Sequence, residues 1–285
     1  MILVTGASSA IGKETVRLLT EVGIPVRCMS RNLDSPQAVA PSGSAAWVKG
    51  DFASPESLRA ALRSVDTCLL LCAPGERQVE LETNFIEEAR HAGVKHLVKV
   101  SALGAAHDAL FAAGRSHAEI EDRVERAGIA FTHVRPHFFM QNFLRFAEMI
   151  RSDAKFVAAM GDARISLVDA QDVGAVCAAL LRDGVHRERQ IAVTGPQALS
   201  FGEIATLMSE LLGRRINYVN APEKSIRENM TRLGRPAWVV DNVLGLQATY
   251  RTGHWEHTTP SVETMVGRKA NTFSVFFQRH IAQFQ

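Results

Sequence analysis

Gly6 and Gly12 bracket a run of small residues between a short apolar segment and a segment of helical periodicity. Glycines so placed permit a sharp turn out of a strand and a close approach of the next helix to the sheet. The free N–H groups and dipole of such a helix start hold an anion. The expected ligand is therefore a pyrophosphate, and hence a dinucleotide, faced by Gly6, Ser8, Ser9, Ala10, Ile11 and Gly12. The usual middle glycine is replaced. Read as G-x-x-G-x-x-G, the motif puts Ser9 there; read as T-G-x-x-x-G-x-G, it puts Ala10 there. Either adds a Cβ where backbone approaches phosphate. The competing reading is an ordinary small-residue turn, and the strand–helix–strand context favours phosphate over it.

The second apolar run ends Cys28-Met29-Ser30-Arg31-Asn32, without the acid that bonds ribose hydroxyls in NAD sites. A permanently charged, forked guanidinium suits a 2′-phosphate. NADP(H) is thus the expected cofactor, with Arg31 on the phosphate, Ser30 or Asn32 assisting and Lys13 adding charge; a solvated surface arginine is the alternative. Asp51 follows the third run and can reach an adenine amino group, with Phe52 beside the ring. It can equally belong to the cap of the next helix, although Ser54-Pro55 explains that cap better. Cys72, Ala73 and Pro74 end the fourth run and would line ribose and pyrophosphate.

Proton chemistry is constrained by an absence. The two tyrosines, Tyr218 and Tyr250, do not begin a Tyr-x-x-x-Lys pair, the arrangement in which a lysine one helical turn away activates a phenol. Hydride chemistry here needs another donor, or an acceptor such as a quinone or cationic dye whose product takes protons from water. His117 has the right intrinsic range, and Glu121, one turn on, could hold it charged; as a bare pattern a solvent-facing helix histidine paired with a glutamate is the favoured reading. Ser101 ends the fifth run, where its hydroxyl could polarise a carbonyl or cap a turn. After the sixth run, Pro136 borders the cofactor. His137, Phe138, Phe139, Gln141 and Asn142 suit an aromatic wall with a few amides against a flat substrate, with some of the rings expected in the core. Asp169 and Asp172 read as structural, and Trp238 and Trp255 lie in the cap, where they could line the substrate site but more often such tryptophans pack. No histidine spacing suggests a metal.

These residues need a scaffold of alternating elements. Strands are expected at 2–5, 26–29, 46–49, 67–72, 96–101 and 131–135, and helices at 11–22, 54–63, 77–92, 109–127 and 138–150. Continuous apolar strands such as 68–72 suit a parallel sheet covered on both faces. The fold class is α/β: a doubly wound parallel sheet of the NAD(P)-binding Rossmann type over 1–150, with a smaller, mostly helical substrate-binding part over 151–285 that adds strands back to the sheet. In that part strands are expected at 155–157, 165–168, 189–194 and 216–219, and helices at 170–183, 200–213, 223–233 and 236–250.

A net charge of +2 over 285 residues, without a basic block, gives no call for nucleic acid. No apolar run approaches the roughly 20 residues of a membrane span. The chain opens directly on a core strand, so no signal peptide is expected. The four cysteines lack metal-type spacing and read as reduced thiols in a cytoplasmic protein. Oligomeric state is left open.

Together the segments 4–7, 30–32, 50–51, 92–104, 134–143 (VRPHFFMQNF), 168–173, 193–196, 267–268 and 272–273 resemble the NmrA-like branch of the atypical short-chain dehydrogenases/reductases over nearly the whole chain. The branch includes reductases of triphenylmethane dyes and NADPH:quinone oxidoreductases. The resemblance implies NADPH-dependent hydride transfer to a planar, electron-poor acceptor such as a quinone, an azo compound or a cationic dye. It places Ser101 at the nicotinamide pocket. It also promotes His117, because benzylic ether reductases of the group carry a lysine at the corresponding position. The group also contains proteins that bind NADP(H) as redox sensors without turnover, which is the rival expectation.

Overall fold

Strand and helix alternate through the first half because apolar runs end at turn residues, and positive-φ glycines at 23, 93 and 128 close helices before the next strand. The computed structural model describes residues 1–33, 44–183 and 189–285. Strands β1 (Ile2–Val4), β2 (Val26–Ser30), β3 (Ala45–Lys49), β4 (Thr67–Leu70), β5 (His96–Val100), β6 (Ala130–Pro136) and β9 (Arg189–Val193) form one seven-stranded sheet in the order β3-β2-β1-β4-β5-β6-β9. Every pairing in it is parallel. The order reverses between β1 and β4, the switch point beyond whose carboxyl end ligands bind in such sheets.

Side-chain alternation splits the sheet into two cores. Ile2, Val4, Leu69, Val98, Val100 and Val134 face helices α1 (Ala10–Glu21) and α6 (Ala170–Asp183). Leu3, Cys68, Leu70 and Leu97 face α2 (Pro55–Ala61), α3 (Gln78–His91) and α4 (Ala112–Arg126). The expected α/β doubly wound parallel sheet is therefore present.

Between β6 and β9 lie α5 (Ala147–Asp153), β7 (Lys155–Ala158), β8 (Arg164–Ile165) and α6. They are followed by β10 (Leu199–Ser200), α7 (Phe201–Leu212), β11 (Asn217–Asn220), α8 (Glu223–Arg232), α9 (Ala237–Arg251), α10 (Ser261–Val266) and α11 (Phe273–His280). Of the later strands among the described residues only β9 joins the main sheet; β7 pairs with β11 and β8 with β10 as separate ribbons around a phenylalanine-rich third core.

Several expected boundaries move. Strand 67–72 ends at Leu70, where the Thr5 hydroxyl bridges to the β4 backbone at Leu69 and Leu71. The helix expected from 109 begins at Ala112, after a turn closed by the Arg115 side chain on the Ala109 carbonyl. Residues 138–150 are not one helix. Phe139 bridges to Val168 and the Met140 N–H donates to the Val168 carbonyl, so the chain stays extended, then winds as a 3-10 helix (Met140–Phe146) into α5. Strand 165–168 shrinks to β8. Helices α10 and α11 stood beyond the elements expected from sequence. The signal for α11 was present in the Thr272 cap and in Phe273, Phe276 and Phe277 at helical spacing.

Among the described residues no helix is long and apolar enough to cross a membrane, and no His, Cys, Asp or Glu group could hold a metal. All four cysteines are free.

Candidate functional site

The turn from β1 into α1 is closed by its glycines. Gly6 takes φ +59°, and a Cβ on Gly12 would lie 2.3 Å from the Gly6 carbonyl oxygen and 2.7 Å from Ala7 Cα. Helix and turn thus touch through backbone alone. Ser9, at one of the two missing-glycine positions, is the N-cap of α1: its Oγ accepts from the Gly12 N–H at 3.0 Å, while Lys13 N–H bonds the Ser9 carbonyl. The next donors, the N–H groups of Ala10 and Ile11, have no protein acceptor among the described residues. Ser9 and Ala10 are exposed and Ser8 is half-buried, so the helix start is open to an anion.

Beyond β2, the Ser30 hydroxyl folds back onto the Asn32 backbone, donating to its carbonyl at 2.9 Å. Ser30 therefore shapes the turn, and Arg31 stands exposed with no ion pair among the described residues. One Asp51 oxygen accepts from the Ala53 N–H at 2.9 Å, and it is Ser54, not Asp51, that caps α2. Phe52 packs edge-on against Phe85, with ring centroids 5.5 Å apart. Cys72 is half-buried, and burial pushes its thiol up to about 12; it is an inert wall rather than a nucleophile. Ala73 and Pro74 are exposed on the same rim, and Pro136 is buried at the end of β6.

Ser101 continues β5 by one residue. It is 5% exposed, and its Oγ is buried without a hydrogen-bond partner. An orphaned hydroxyl at a strand's carboxyl end is an open valence for a ligand. His117, on α4, is half-buried and lies against Lys99 of β5, Nδ1 to Nζ 3.3 Å. Lys99 and Ser101 are two residues apart and so share a face of the sheet.

The expected His117–Glu121 pair does not form. Glu121 is engaged by both sides of the Arg135 guanidinium of β6, with Nε 2.9 Å from Oε1 and a close Nη2–Oε2 contact. A bidentate fork outcompetes an imidazole for a carboxylate. His117 is also not the freely titrating group expected. Burial first, then the positive charges of Lys99 and Arg135, hold it well below the usual imidazole range.

The wall expected after β6 is built differently. His137 is 3% exposed and both ring nitrogens are used: Nδ1 accepts from the Phe138 N–H at 2.7 Å, and Nε2 donates to the Trp255 carbonyl at 3.0 Å. Burial pushes it down to about 4. Its ring stacks on Tyr250 and pins the 255 segment, whose indole fits over Gly104. Phe138 packs edge-on against Phe143, Phe201 and Tyr250, and Phe139 packs against the core that faces α6. Gln141 gives its amide to Asp169 and accepts from the Ala170 N–H. Asn142 is half-buried and its side chain makes no hydrogen bond among the described residues. Asp169 and Asp172 are structural as expected, bound by Arg279, Arg268 and Asn271. Neither tyrosine is positioned for acid–base work. Tyr250 is buried, which raises its phenol, and the Tyr218 hydroxyl is bonded to backbone at Met160 and Ala158.

A cleft of about 400 Å³ opens between Gly75 and Glu76 after β4, His107, Arg115 and Ser116 of α4, and Trp238 of α9. Along α4 it is lined by Ala112, Ala113, Arg115, Ser116 and Glu119. Sequence reasoning passed over Lys99 and Glu82. The available signal was a lysine inside the otherwise apolar strand His96–Val100.

A model described as the NmrA-like family matches residues 1–273. An NAD(P)H azoreductase of Xenophilus azovorans is 35% identical over 100% of this chain and 99% of its own length. Among solved structures, the NADPH-dependent quinone oxidoreductase QOR2 of Escherichia coli, complexed with NADPH, superposes with a TM-score of 0.89 at 21% identity, covering 99% of this chain and all of that one. The triphenylmethane reductase of a Citrobacter species, complexed with NADP(H), gives 0.85 at 19% identity over 98% and 99%.

Proposed function

The chain belongs to the NmrA-like family, and from that premise we propose that it is an NADPH-dependent reductase of planar, electron-poor acceptors: azo compounds, quinones or cationic dyes. The observation that carries the reading is the Gly6–Gly12 contact, which leaves the exposed start of α1 facing the switch point with two free N–H groups, in a chain that matches an NAD(P)H azoreductase end to end. Bound NADPH would supply the hydride. The α1 start and Arg31 would hold its pyrophosphate and 2′-phosphate, with Asp51 and Phe52 at the adenine end and Cys72, Ala73, Pro74 and Pro136 along the rim.

In this reading Ser101 and His117 are the catalytic pair. They offer hydrogen-bond donors to the acceptor's oxygen or nitrogen as charge develops there, in place of the absent Tyr-x-x-x-Lys pair. Residues 1–150 carry the cofactor, and residues 151–285 cover the acceptor, with Asn142 and the cleft beside Trp238 on its path. Four free cysteines, three of them fully enclosed, suit a reducing compartment, and the cytoplasm is the proposed setting. The partner is a small aromatic or quinone-like molecule rather than a nucleic acid.

The test is NADPH consumption with a quinone, an azo dye and a triphenylmethane dye in turn. A reductase consumes NADPH in step with acceptor. Binding of NADPH with no consumption across the panel would replace the reading with a redox sensor.

A further inference from the structure

Lys99 and Glu82 are both fully buried, one on β5 and the other on α3. Lys99 Nζ is 2.9 Å from Glu82 Oε2 and 3.2 Å from Oε1. It donates to the Val100 carbonyl at 2.5 Å and faces His117 Nδ1 at 3.3 Å. Gln78, also buried, helps fix the carboxylate, its Nε2 donating to Glu82 Oε1 at 2.9 Å. A buried ion pair of this kind adds little that apolar residues of the same volume would not, so its presence beside a half-buried histidine calls for another explanation.

An ammonium has three protons and accepts nothing. Here it meets three acceptors: a carboxylate, a carbonyl and an imidazole nitrogen. Nδ1 of His117 must therefore be the lone-pair nitrogen, and the ring proton sits on Nε2, which has no hydrogen-bond partner among the described residues.

We propose that Lys99 is a positioning residue: anchored by Glu82, its ammonium locks His117 as the neutral tautomer with the proton on Nε2, making it a fixed hydrogen-bond donor to the acceptor rather than a titrating acid. The proposal rests on the reductase reading of the site. The charged groups acting on the ring are Lys99 of β5 and Arg135 of β6 (itself held by Glu121 of α4); Glu82 of α3 stands behind Lys99, near Cys72, which burial keeps as a thiol. The two cations and the burial all disfavour an imidazolium.

A consequence for substrate class follows. Hydride addition to a quinone leaves a negative oxygen, and addition to an azo bond leaves a negative nitrogen; the Nε2–H stabilises either until water supplies the proton. Hydride addition to the carbon of a triarylmethyl cation gives a neutral product and needs no donor. Quinone and azo reduction should depend on the Lys99 lock, and dye reduction should not.

The experiment is nitrogen-15 NMR of the histidine rings from about pH 5 to 8, the span in which an ordinary histidine titrates, on the whole protein and on Lys99→Met/Glu82→Gln, which removes both charges together. Wild type should show His117 neutral with the proton on Nε2 throughout. In the double variant the tautomers should mix and the titration move up toward the ordinary range. Its kcat for quinone or azo compound should fall about tenfold and acquire a histidine limb, with dye kcat and NADPH affinity unchanged within about twofold. A proton on Nδ1 or an imidazolium in wild type overturns the proposal even if the double variant does not fold. So does a double variant whose tautomer and acceptor profile match wild type. Absence of turnover with every acceptor would instead sink the reductase reading and leave the NMR result standing.

Discussion

Gly12→Ala tests the phosphate cradle at its tightest point. The new Cβ would lie 2.3 Å from the Gly6 carbonyl oxygen, with Ala7 Cα at 2.7 Å. Both neighbours are backbone, so no side chain can swing away, and an ordinary contact requires the start of α1 to move off the turn by about 1 Å. Overpacking of this kind costs about 2 kcal/mol, or about 4–8 °C in Tm for a chain of this size. The same displacement pulls the Ala10 and Ile11 N–H groups off a bound pyrophosphate. Loss of one charge-assisted hydrogen bond corresponds to about 1.5–3 kcal/mol, so NADPH Kd should rise by about ten- to a hundredfold. Titration calorimetry and a melting curve, with Gly202→Ala as control, provide the measurement. Gly202 is an exposed glycine of α7 with nothing closer than Ser200 Oγ at 3.8 Å, and alanine there should leave NADPH affinity unchanged. A Gly12→Ala protein with wild-type Tm and wild-type NADPH affinity would show that the turn is not closed as described and that α1 does not carry the phosphates.

The other expectations concern charge and protonation. Arg31→Ala should weaken NADPH by about ten- to a hundredfold and leave NADH within about threefold, with Tm unchanged because the side chain is exposed; equal losses for both cofactors would remove Arg31 from the 2′-phosphate. His117→Ala should lower kcat for a quinone about tenfold or more with NADPH Kd unchanged, and undiminished turnover would return this residue to a packing role. Burial holds His133 and His137 down to about 4 each. A histidine depressed in the fold binds its proton more readily when unfolded, so its contribution is complete above the unfolded value near 6.5 and drains away as pH falls toward 4. Each is worth up to about 3 kcal/mol. Tm should therefore drop already between pH 6.5 and 5, before most carboxylates titrate, and a flat Tm over that interval would contradict their enclosure.

What could be read from sequence was whatever chemistry forces locally. The glycines at 6 and 12, the Ser54-Pro55 start of α2 and the apolar parallel strands follow from backbone sterics and burial, and they recur in the structure. What could not be read was competition between distant groups. Glu121 is spaced for His117 along α4, yet Arg135 arrives from β6 with a better-matched fork. His137 looked available until Trp255, more than a hundred residues later, supplied a carbonyl. Phe139 falls within a stretch of helical periodicity, but a bridge to Val168 keeps it extended, and winding begins only at Met140. Lys99 hid in plain view on β5, because its partner Glu82 comes from the helix α3.

The underside of α1 rests on α6. The Thr15 hydroxyl donates to the Gly174 carbonyl at 3.1 Å, and a Cβ on Gly174 would lie 2.8 Å from the Ile11 carbonyl oxygen. During synthesis, a ribosome that has delivered the first 150 residues has made almost every group assigned to the nucleotide, but not the helix that backs the phosphate turn. Until residues 170–183 emerge, the face of α1 that carries Ile11, Glu14 and Thr15 lacks its partner. Because α6 backs the phosphate turn, NADPH bound there would stabilise the docked α1–α6 contact by mass action.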